Sequence, residues 1–451
     1  MKKILKNIAA VCLSGLLIST NTAVFAEETE SNTFTDKILT YEIVKGGVNI
    51  IDCDEGTTKV SVGESIDGYD IIGIESNAFA ECTKLHEVNL SDSITYMGEG
   101  VFSGCTALEK VNLPEGLTEI PKQTFALCSA LKEIKIPSSI TTIDQYAFSY
   151  CDDLTWFEIP DNITTINAYA FAFSNMPAEL NIPESVTLIE NLSFYTCSGV
   201  ETVNLPKSVE TFGSLAFLGS KQLKAFTVTE GNSTYTAQDG ILYSENGTIL
   251  ESYPAGKTET SFSVPEQVES IADGAFFDNE YLTEINLTEN ITQIGEAAFS
   301  NCTLLSKMVL PDSITKIEPS LFCDCTSLWD VTIPDTVTSI GAYAFLECTN
   351  LKSLDVPESV TEIGDYAIGY TDDEEGEFHR IKDFEIKSPS GSAASEYAKE
   401  NNFDGSTSLN SVLKYIIIAA VVIVVLIAVI IILKKVSNKK KSKNSEKNNK
   451  E

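Results

Sequence analysis

The sequence is poor in the side chains on which most catalytic and ligand sites depend. Its 451 residues include two histidines, two tryptophans and a single arginine, Arg380. No glycine-rich phosphate loop, histidine-rich metal pattern or nucleophile elbow is present. We therefore predict that the protein is not an enzyme and holds neither a metal nor a cofactor.

Positive charge is also scarce. Lysine and arginine total 31 against 65 aspartates and glutamates, which gives a formal net charge of −34. Many of the lysines lie in the first six residues or after residue 413, so the middle of the chain is more acidic still. Such a surface repels nucleic-acid phosphates, so we predict no nucleic-acid partner. It suits a soluble surface or cationic partners.

The N-terminus has the pattern of a secretory signal peptide. Lys2, Lys3 and Lys6 precede the apolar run Ile8–Ile18, and Ala-Val-Phe-Ala26 follows it. Small residues at these last places suit signal peptidase, so residues 1–26 are predicted to be removed. Lipidation at Cys12 is the less favoured alternative, because Val11 stands where a small residue is usual.

A second apolar run lies near the C-terminus. Ile416–Leu433 contains no charged residue, and a helix of this length spans about 27 Å, close to the thickness of a bilayer core. Lysines crowd the segment 434–451 that follows. We predict a membrane helix over 412–433 with a cytoplasmic C-terminus, which places residues 27–411 outside the cell.

Between these ends the sequence repeats itself. A phenylalanine returns every 23 residues, with one longer step of 59 residues, and Ile368 continues the series. These repeat phenylalanines are Phe79, Phe102, Phe125, Phe148, Phe171, Phe194, Phe217, Phe276, Phe299, Phe322 and Phe345. A fixed period of this length predicts a solenoid, whose coils bury their flanks against each other.

Each repeat also predicts one short strand. Phe157-Glu-Ile159 alternates between apolar and polar residues, and a proline such as Pro160 ends most of these segments. Stacked in register, the strands would form a parallel sheet along one face of the solenoid. The predicted fold class is thus a repeat solenoid of 23-residue units with a parallel sheet on one face, capped ends and one transmembrane helix.

The repeat resembles a known family. Its consensus is clear in 340-IGAYAFLECTNLKSLDVPESVT-361, which closely resembles the BspA-type leucine-rich repeat. The resemblance covers residues 70–387. It implies a protein on the surface of anaerobic or mucosal bacteria with a role in adhesion or host interaction. The resemblance does not imply a binding site at any particular residue.

The repeats divide the predicted outer segment. A hairpin is expected within the long step, around Asn246-Gly247, which favours a type I′ turn. It is either a structural splice, which we favour, or a binding protrusion. The predicted divisions are an N-terminal cap at 27–72, repeats at 73–228, the insertion at 229–264, repeats at 265–387, and a cap helix with a tether at 388–411. For the cap helix, Ser392 is the expected N-cap, and Ala394, Tyr397 and Ala398 form the expected apolar side.

Eight cysteines hold one place in the repeat: Cys82, Cys105, Cys128, Cys151, Cys197, Cys302, Cys325 and Cys348. In-register side chains lie about 4.8 Å apart, which exceeds the usual Cβ separation in a disulfide. We therefore interpret these cysteines as small buried thiols of the core. Cys53 and Cys323 fall outside the pattern, and whether they pair stays open.

The outward residues of the predicted strands form a candidate binding face. It comprises Lys110, Asn112, Glu133, Lys135, Trp156, Glu158 and Trp329. Exposed tryptophan is costly in water and is enriched at the centres of interfaces, so the two tryptophans are candidate anchors. The other interpretation, which we favour from the sequence alone, is that each ring lies flat on a neighbouring coil and only shields it.

The sequence thus favours a membrane-anchored, adhesin-like surface protein that binds an extracellular protein or glycoprotein. A membrane-tethered glycan hydrolase and a non-binding spacer are the alternatives. No pair of carboxylates in a cleft, which the hydrolase requires, is recognisable from the repeat.

The predicted topology can be tested on cells whose outer wall has been removed. Added protease should release residues 27–411, while the membrane keeps the C-terminal fragment through Ile416–Leu433. The sequence lacks an LPxTG-like sorting motif before this segment, so covalent attachment to the wall is not expected. Recovery of the protein in a detergent-resistant wall fraction would contradict the prediction.

Overall fold

A computed structural model describes residues 32–373 and 375–403 of the chain. The predicted signal peptide at 1–26, the membrane helix at 412–433 and the basic tail at 434–451 lie outside these residues. Among the helices of the described ranges, none has the length and apolar character needed to cross a membrane.

The described chain is a β-solenoid of about 14 turns with repeats of roughly 23 residues. Its first strands are β1 Thr33–Thr35, β2 Leu39–Val44, β3 Gly47–Cys53, β4 Lys59–Ser61, β5 Ser65–Ile66 and β6 Tyr69–Ile74. Antiparallel pairs join β1 to β2 and β2 to β3, whereas β3 pairs with β6 in parallel. The change to parallel pairing marks the beginning of the coils.

Each coil of the first block contributes short strands to the solenoid. They are β7 Glu87–Asn89, β8 Tyr96–Met97, β9 Lys110–Asn112, β10 Glu119–Ile120, β11 Glu133–Lys135, β12 Thr142–Ile143, β13 Thr165–Ile166, β14 Glu179–Asn181, β15 Leu188–Ile189, β16 Thr202–Leu205, β17 Thr211–Phe212 and β18 Ala225–Val228. The insertion adds β19 Tyr235–Gln238, β20 Ile241–Ser244 and β21 Ile249–Ser252.

The second block has the same construction. Its strands are β22 Ser261–Ser263, β23 Ser270–Ile271, β24 Glu284–Asn286, β25 Gln293–Ile294, β26 Lys307–Val309, β27 Lys316–Ile317, β28 Asp330–Thr332, β29 Ser339–Ile340, β30 Ser353–Asp355, β31 Glu362–Ile363, β32 Tyr370–Asp372, β33 Phe378–Arg380 and β34 Glu385–Lys387. An α-helix, α1, spans Ala393–Glu400, and a short 3-10 helix spans Glu245–Gly247.

Parallel pairing runs along two rows of the solenoid, not one. The longer strands form one row, in which β4, β7, β9 and β11 pair in sequence. The two-residue strands form the other row, in which β10, β12, β13, β15 and β17 pair. The expectation of a sheet on one face is therefore incomplete, because segments such as Thr142–Ile143 are too short for their strand pattern to be recognised from sequence.

A third set of bonds between coils lies at the corner that carries the repeat phenylalanine. Alternate backbone N–H groups donate to the next coil: Gly100 to the Lys122 carbonyl at 2.8 Å, and Phe102 to the Thr124 carbonyl at 2.9 Å. The residues two places before and after the phenylalanine take positive φ in nearly every coil, even where they are Tyr146 and Tyr150; Leu215, before Phe217, is the exception. A non-glycine residue there costs about 1–2 kcal/mol, which these bonds between coils offset.

The repeat phenylalanines form one continuous stack inside each block. Phe148 is completely buried, and its ring lies 5.3 Å from that of Phe125 and 5.4 Å from that of Phe171, nearly parallel to both. Offset stacking of this kind adds about 0.5–1.5 kcal/mol per pair to the burial of the rings. Each coil therefore depends on both neighbours for its core.

The insertion is part of the core. Tyr253 takes the place of a repeat phenylalanine, because its N–H donates to the Ala275 carbonyl and its ring stacks 5.1 Å from that of Phe276. Strand β20 is buried on both sides: Leu242 packs into the core of the first block, and Tyr243 packs into that of the second. Residues 229–264 thus join two separate apolar cores.

Helix α1 lies at the C-terminal end of the coils. Ser392 precedes the helix and its hydroxyl accepts the Ser395 N–H at 3.2 Å, as an N-cap does. The residues on the predicted apolar side, Ala394, Tyr397 and Ala398, are buried. The helix thereby covers apolar surface that the last coil would expose.

The ten cysteines of the described residues are free and buried. The thiols at the repeated place do more than fill space, since each donates to a carbonyl of the preceding coil: Cys151 Sγ lies 3.2 Å from the Phe125 oxygen. Where serine replaces cysteine the bond persists, at 2.6 Å from Ser174 Oγ to the Phe148 oxygen. The place thus selects small hydrogen-bond donors.

The two cysteines outside this pattern lie far apart in the fold. Cys53 belongs to the core of the first block, where its carbonyl accepts the Cys82 thiol at 3.9 Å. Cys323 belongs to the core of the second block, where its thiol lies 3.4 Å from Asp324 Oδ2. The two do not form a pair in the structure.

Truncating one ring of the stack should destabilise the solenoid. Phe148→Ala removes a fully buried ring with stacked partners on both sides, so we expect a loss of about 3–5 kcal/mol in the free energy of unfolding. Leu304→Ala is the control, because Leu304 is 46% exposed and should change stability by about 0.5 kcal/mol or less. Urea denaturation of both variants measures the difference, and equal midpoints would contradict the packing described.

The buried thiols predict a loss of stability at alkaline pH. Burial raises the pKa of Cys151, Cys197 and Cys302 above the usual value of 9.0. As the pH rises, the thiols therefore ionise in the unfolded chain before they ionise in the folded protein. The contribution of the buried thiols to the free energy of unfolding is fully present below about pH 9 and decreases as the pH rises further. Each thiol contributes at most about 1.4 kcal/mol per pH unit to this slope.

Urea midpoints measured from pH 8 to pH 10.5 test the effect. Cys151→Ser keeps the donor, as Ser174 does naturally, but removes one ionisable thiol. The variant should lose stability less steeply with pH than the original chain, and tyrosines contribute equally to both proteins. Identical slopes would show that the thiols do not set the alkaline limit.

Candidate interaction surface on the long-strand row

The strand face, defined here as the outward residues of the longer strands, has a column of alternating charge in the first block. The pairing of β4, β7, β9 and β11 aligns Lys59, Glu87, Lys110 and Glu133. Lys59 binds Glu87 at 2.9 Å, and Lys110 binds Glu133 at 2.6 Å. Hydrogen bonds to Lys59 and Asn89 lower the pKa of Glu87, and Glu133 raises that of Lys110.

A second column of the strand face lies two residues further along each strand. Asn112 donates its side-chain N–H to the Asn89 oxygen at 2.7 Å, and Lys135 lies 3.5 Å from Glu115. Of the sequence-predicted binding residues, the structure thus brings Lys110, Asn112, Glu133 and Lys135 together on one sheet. Their charged groups already have partners within the protein.

Trp156 continues the first column, but its segment is not a strand. Trp156 Nε1 donates to the Asp153 carbonyl at 2.9 Å, and the Phe157 N–H donates to the Leu154 carbonyl. These bonds hold a turn that competes with strand pairing. Within the described part of the chain, no backbone hydrogen bond joins residues 156–159 to β11 or β14. The strand predicted for Phe157–Ile159 is therefore wrong, although Phe157 and Ile159 are buried as expected.

A groove lies on the strand face beside this interruption. It has a volume of about 480 Å³, and Trp156, which is 37% exposed, forms one wall. The carboxylates of Glu158, Asp161 and Glu179 line the same groove, together with Asn181. The ring is fixed by the Asp153 bond and by an edge contact 5.7 Å from Phe157, so the wall is formed before any ligand arrives.

Trp329 lines a comparable groove in the second block. This groove has a volume of about 420 Å³, and its wall includes Glu284, Asn286, Glu289 and Lys307. Here too the sheet is loosened, because only Glu284 and Lys307 remain paired between β24 and β26. Trp329 is 60% exposed and lies just before β28. Each tryptophan thus marks a groove at a weakened point of the sheet.

The sequence analysis missed three residues of the Trp156 groove: Asp161, Glu179 and Asn181. A signal for them exists in the repeat. Glu179 and Asn181 hold the same places in their coil as Glu284 and Asn286 do in the second groove. The repeat register gives the place of each residue in its coil, but it does not show where a coil leaves the sheet. The groove forms at such a point, so these residues could not be identified from the register.

The repeat and the two rows of parallel strands define the molecule as a leucine-rich repeat solenoid. A family model described as the BspA-type leucine-rich repeat region matches residues 64–177, 129–244 and 252–373. The chain belongs to this family.

Solved structures agree with the assignment. A leucine-rich cell surface protein from Faecalibacterium prausnitzii is 26% identical, with a TM-score of 0.68, over 83% of this chain and 98% of that one. The pneumococcal vaccine antigen PcpA is 20% identical, with a TM-score of 0.57, over 81% of this chain and 95% of that one. The second likeness shows the fold alone. No curated protein matches the sequence.

Proposed function

We propose that this protein is a bacterial cell-surface interaction protein that binds an extracellular protein or glycoprotein through its strand face. The observation that carries the proposal is the exposed, pre-positioned ring of Trp156 in a groove of about 480 Å³. Tryptophans in such settings are the residues most enriched among those that dominate binding energy. An interaction role also suits the family, whose solenoids offer long surfaces for partners.

The proposed location is the outer surface of the cell, adhesin-like and anchored by Ile416–Leu433 with the C-terminus in the cytoplasm. The sequence patterns of residues 1–26 and 412–433 support it. The similar protein of Faecalibacterium prausnitzii is itself described as a cell surface protein. Adhesion is the form of interaction that this location favours.

The hydrolase alternative has less support. The general acid of a glycosidase is usually held in apolar surroundings that keep it protonated. The carboxylates of the Trp156 groove, Glu158, Asp161 and Glu179, are exposed to solvent. A purely structural spacer, in turn, gives no reason for a fixed tryptophan beside an open groove.

Binding by the full-length protein in mild detergent, measured against purified matrix proteins and mucins, tests the proposal. For any partner found, Trp156→Ala should weaken binding by about 2 kcal/mol or more, roughly thirtyfold, because an anchor ring is lost. Tyr96→Ala is the control, since Tyr96 is an exposed aromatic residue on the short-strand row.

Two results would contradict the proposal. If Trp156→Ala and Trp329→Ala bind every partner with unchanged affinity, the two tryptophans of the strand face do not take part in binding. A change in thermal stability without a change in affinity would show that the Trp156 ring only packs against its neighbours.

A further inference from the structure

We infer that the Trp156 groove receives a cationic side chain, that of a lysine or arginine in an extended segment of an extracellular partner protein. This inference rests on the proposed function and names the chemistry of its ligand.

The first support is the order of charges along the strand face. The column runs Lys59, Glu87, Lys110, Glu133, and each lysine binds a glutamate of a neighbouring strand. At the next place, where the alternation would put a cation, the chain has Trp156, and Glu179 follows one coil later. A cation lying against the Trp156 ring would complete the alternation with Glu179.

The second support is that the groove's own carboxylates lack counterions. At several places on the long-strand row a lysine neutralises an acidic neighbour, as Lys110 does for Glu133 and Lys307 for Asp330 at 2.8 Å. Among the described residues, no lysine or arginine forms an ion pair with Glu158, Asp161 or Glu179. Glu179 accepts a hydrogen bond from a neutral donor, the Asn204 amide, at 2.9 Å.

The third support is the ring itself. The face of tryptophan attracts a cation more strongly than that of any other side chain, and the guanidinium or ammonium group needs to approach within about 6 Å. The Asp153 bond fixes the Trp156 ring without using its face. Exposed carboxylates and an aromatic face therefore favour the same ligand, and the net charge of −34 would draw it in from a distance.

The Trp329 groove provides an internal comparison. It has the same glutamate and asparagine places, but Lys307 lies in its wall. A built-in lysine reduces the need for a cation from outside. We therefore expect the Trp156 groove to bind a cationic peptide more tightly than the Trp329 groove does.

Intrinsic fluorescence can test the inference, because the chain contains only two tryptophans. In Trp329→Phe, Trp156 is the sole tryptophan reporter. The probe is a short glycine-lysine peptide with blocked ends, titrated into the full-length variant at low salt. Saturable quenching is expected, whereas the same peptide with acetylated lysines should not bind. The reciprocal variant, Trp156→Phe, should respond at least about tenfold more weakly.

Matched charge variants separate the groove from the general field of the protein. Glu179→Gln should weaken the peptide about tenfold, since it removes one of the groove's carboxylates. Glu210→Gln removes the same charge at an exposed position outside the groove and should change affinity less than twofold. Equal effects of the two substitutions would show general attraction only and would overturn the inference.

Other outcomes also decide the question. The inference of a cationic ligand would be overturned if the lysine peptide failed to bind. It would also be overturned if a neutral N-acetylglucosamine oligomer, and not the peptide, quenched the Trp156 fluorescence. These results leave the proposed function intact if a partner still depends on Trp156. A partner that depends on Trp156 but tolerates acetylation of its lysines would refute the cationic ligand alone. A partner indifferent to Trp156 would refute the proposed function.

Discussion

The structure depends on one contact that is repeated between successive coils, at the corner that contains the repeat phenylalanine. At that corner the N–H of a buried phenylalanine donates to the following coil, as Phe102 does to Thr124, while its ring stacks on the next ring. Both contacts hold only if the coil length is conserved. The period of 23 residues is thus a geometric condition, and the positive φ values on either side of the phenylalanine are tolerated because they keep alternate N–H groups aimed along the stack.

The same requirement explains the insertion and the cysteines. Thirteen residues beyond one repeat can be accommodated between Phe217 and Tyr253 because the extra chain forms its own antiparallel pairs. The cost is a core divided in two. At the cysteine place, Cys151, Ser174 and Cys197 alternate freely along the chain, since each reaches the phenylalanine carbonyl of the coil before it. A hydrogen-bond donor of small volume is what the position demands.

In this molecule the candidate interaction sites lie where a coil departs from the regular repeat conformation. A regular coil pairs its strand with its neighbours, and in several coils a charged side chain also forms an ion pair there, as Lys110 does with Glu133. In the coil of Trp156 the segment leaves the sheet. Among the described residues, neither Glu158 of this coil nor Glu179 of the next coil forms an ion pair with a lysine. Because the adjacent coils and the Phe148 stack remain intact beneath it, this local departure does not disturb the core. Within one repeat, the buried phenylalanine thus stabilises the solenoid, whereas the exposed tryptophan and carboxylates form the candidate binding site.

The sequence by itself determined the solenoid, its period and its buried phenylalanines, because each of these follows from spacing that any stacked coil must keep. It also placed the capping residue Ser392 and the apolar side of the last helix. Tertiary structure alone decided that a second row of strands exists, that Tyr253 substitutes for a phenylalanine, and that the Trp156 segment forms a turn at Asp153 instead of a paired strand. These features depend on competition between local turns and pairing with neighbouring coils, and the outcome of that competition is fixed only when the coils are packed together.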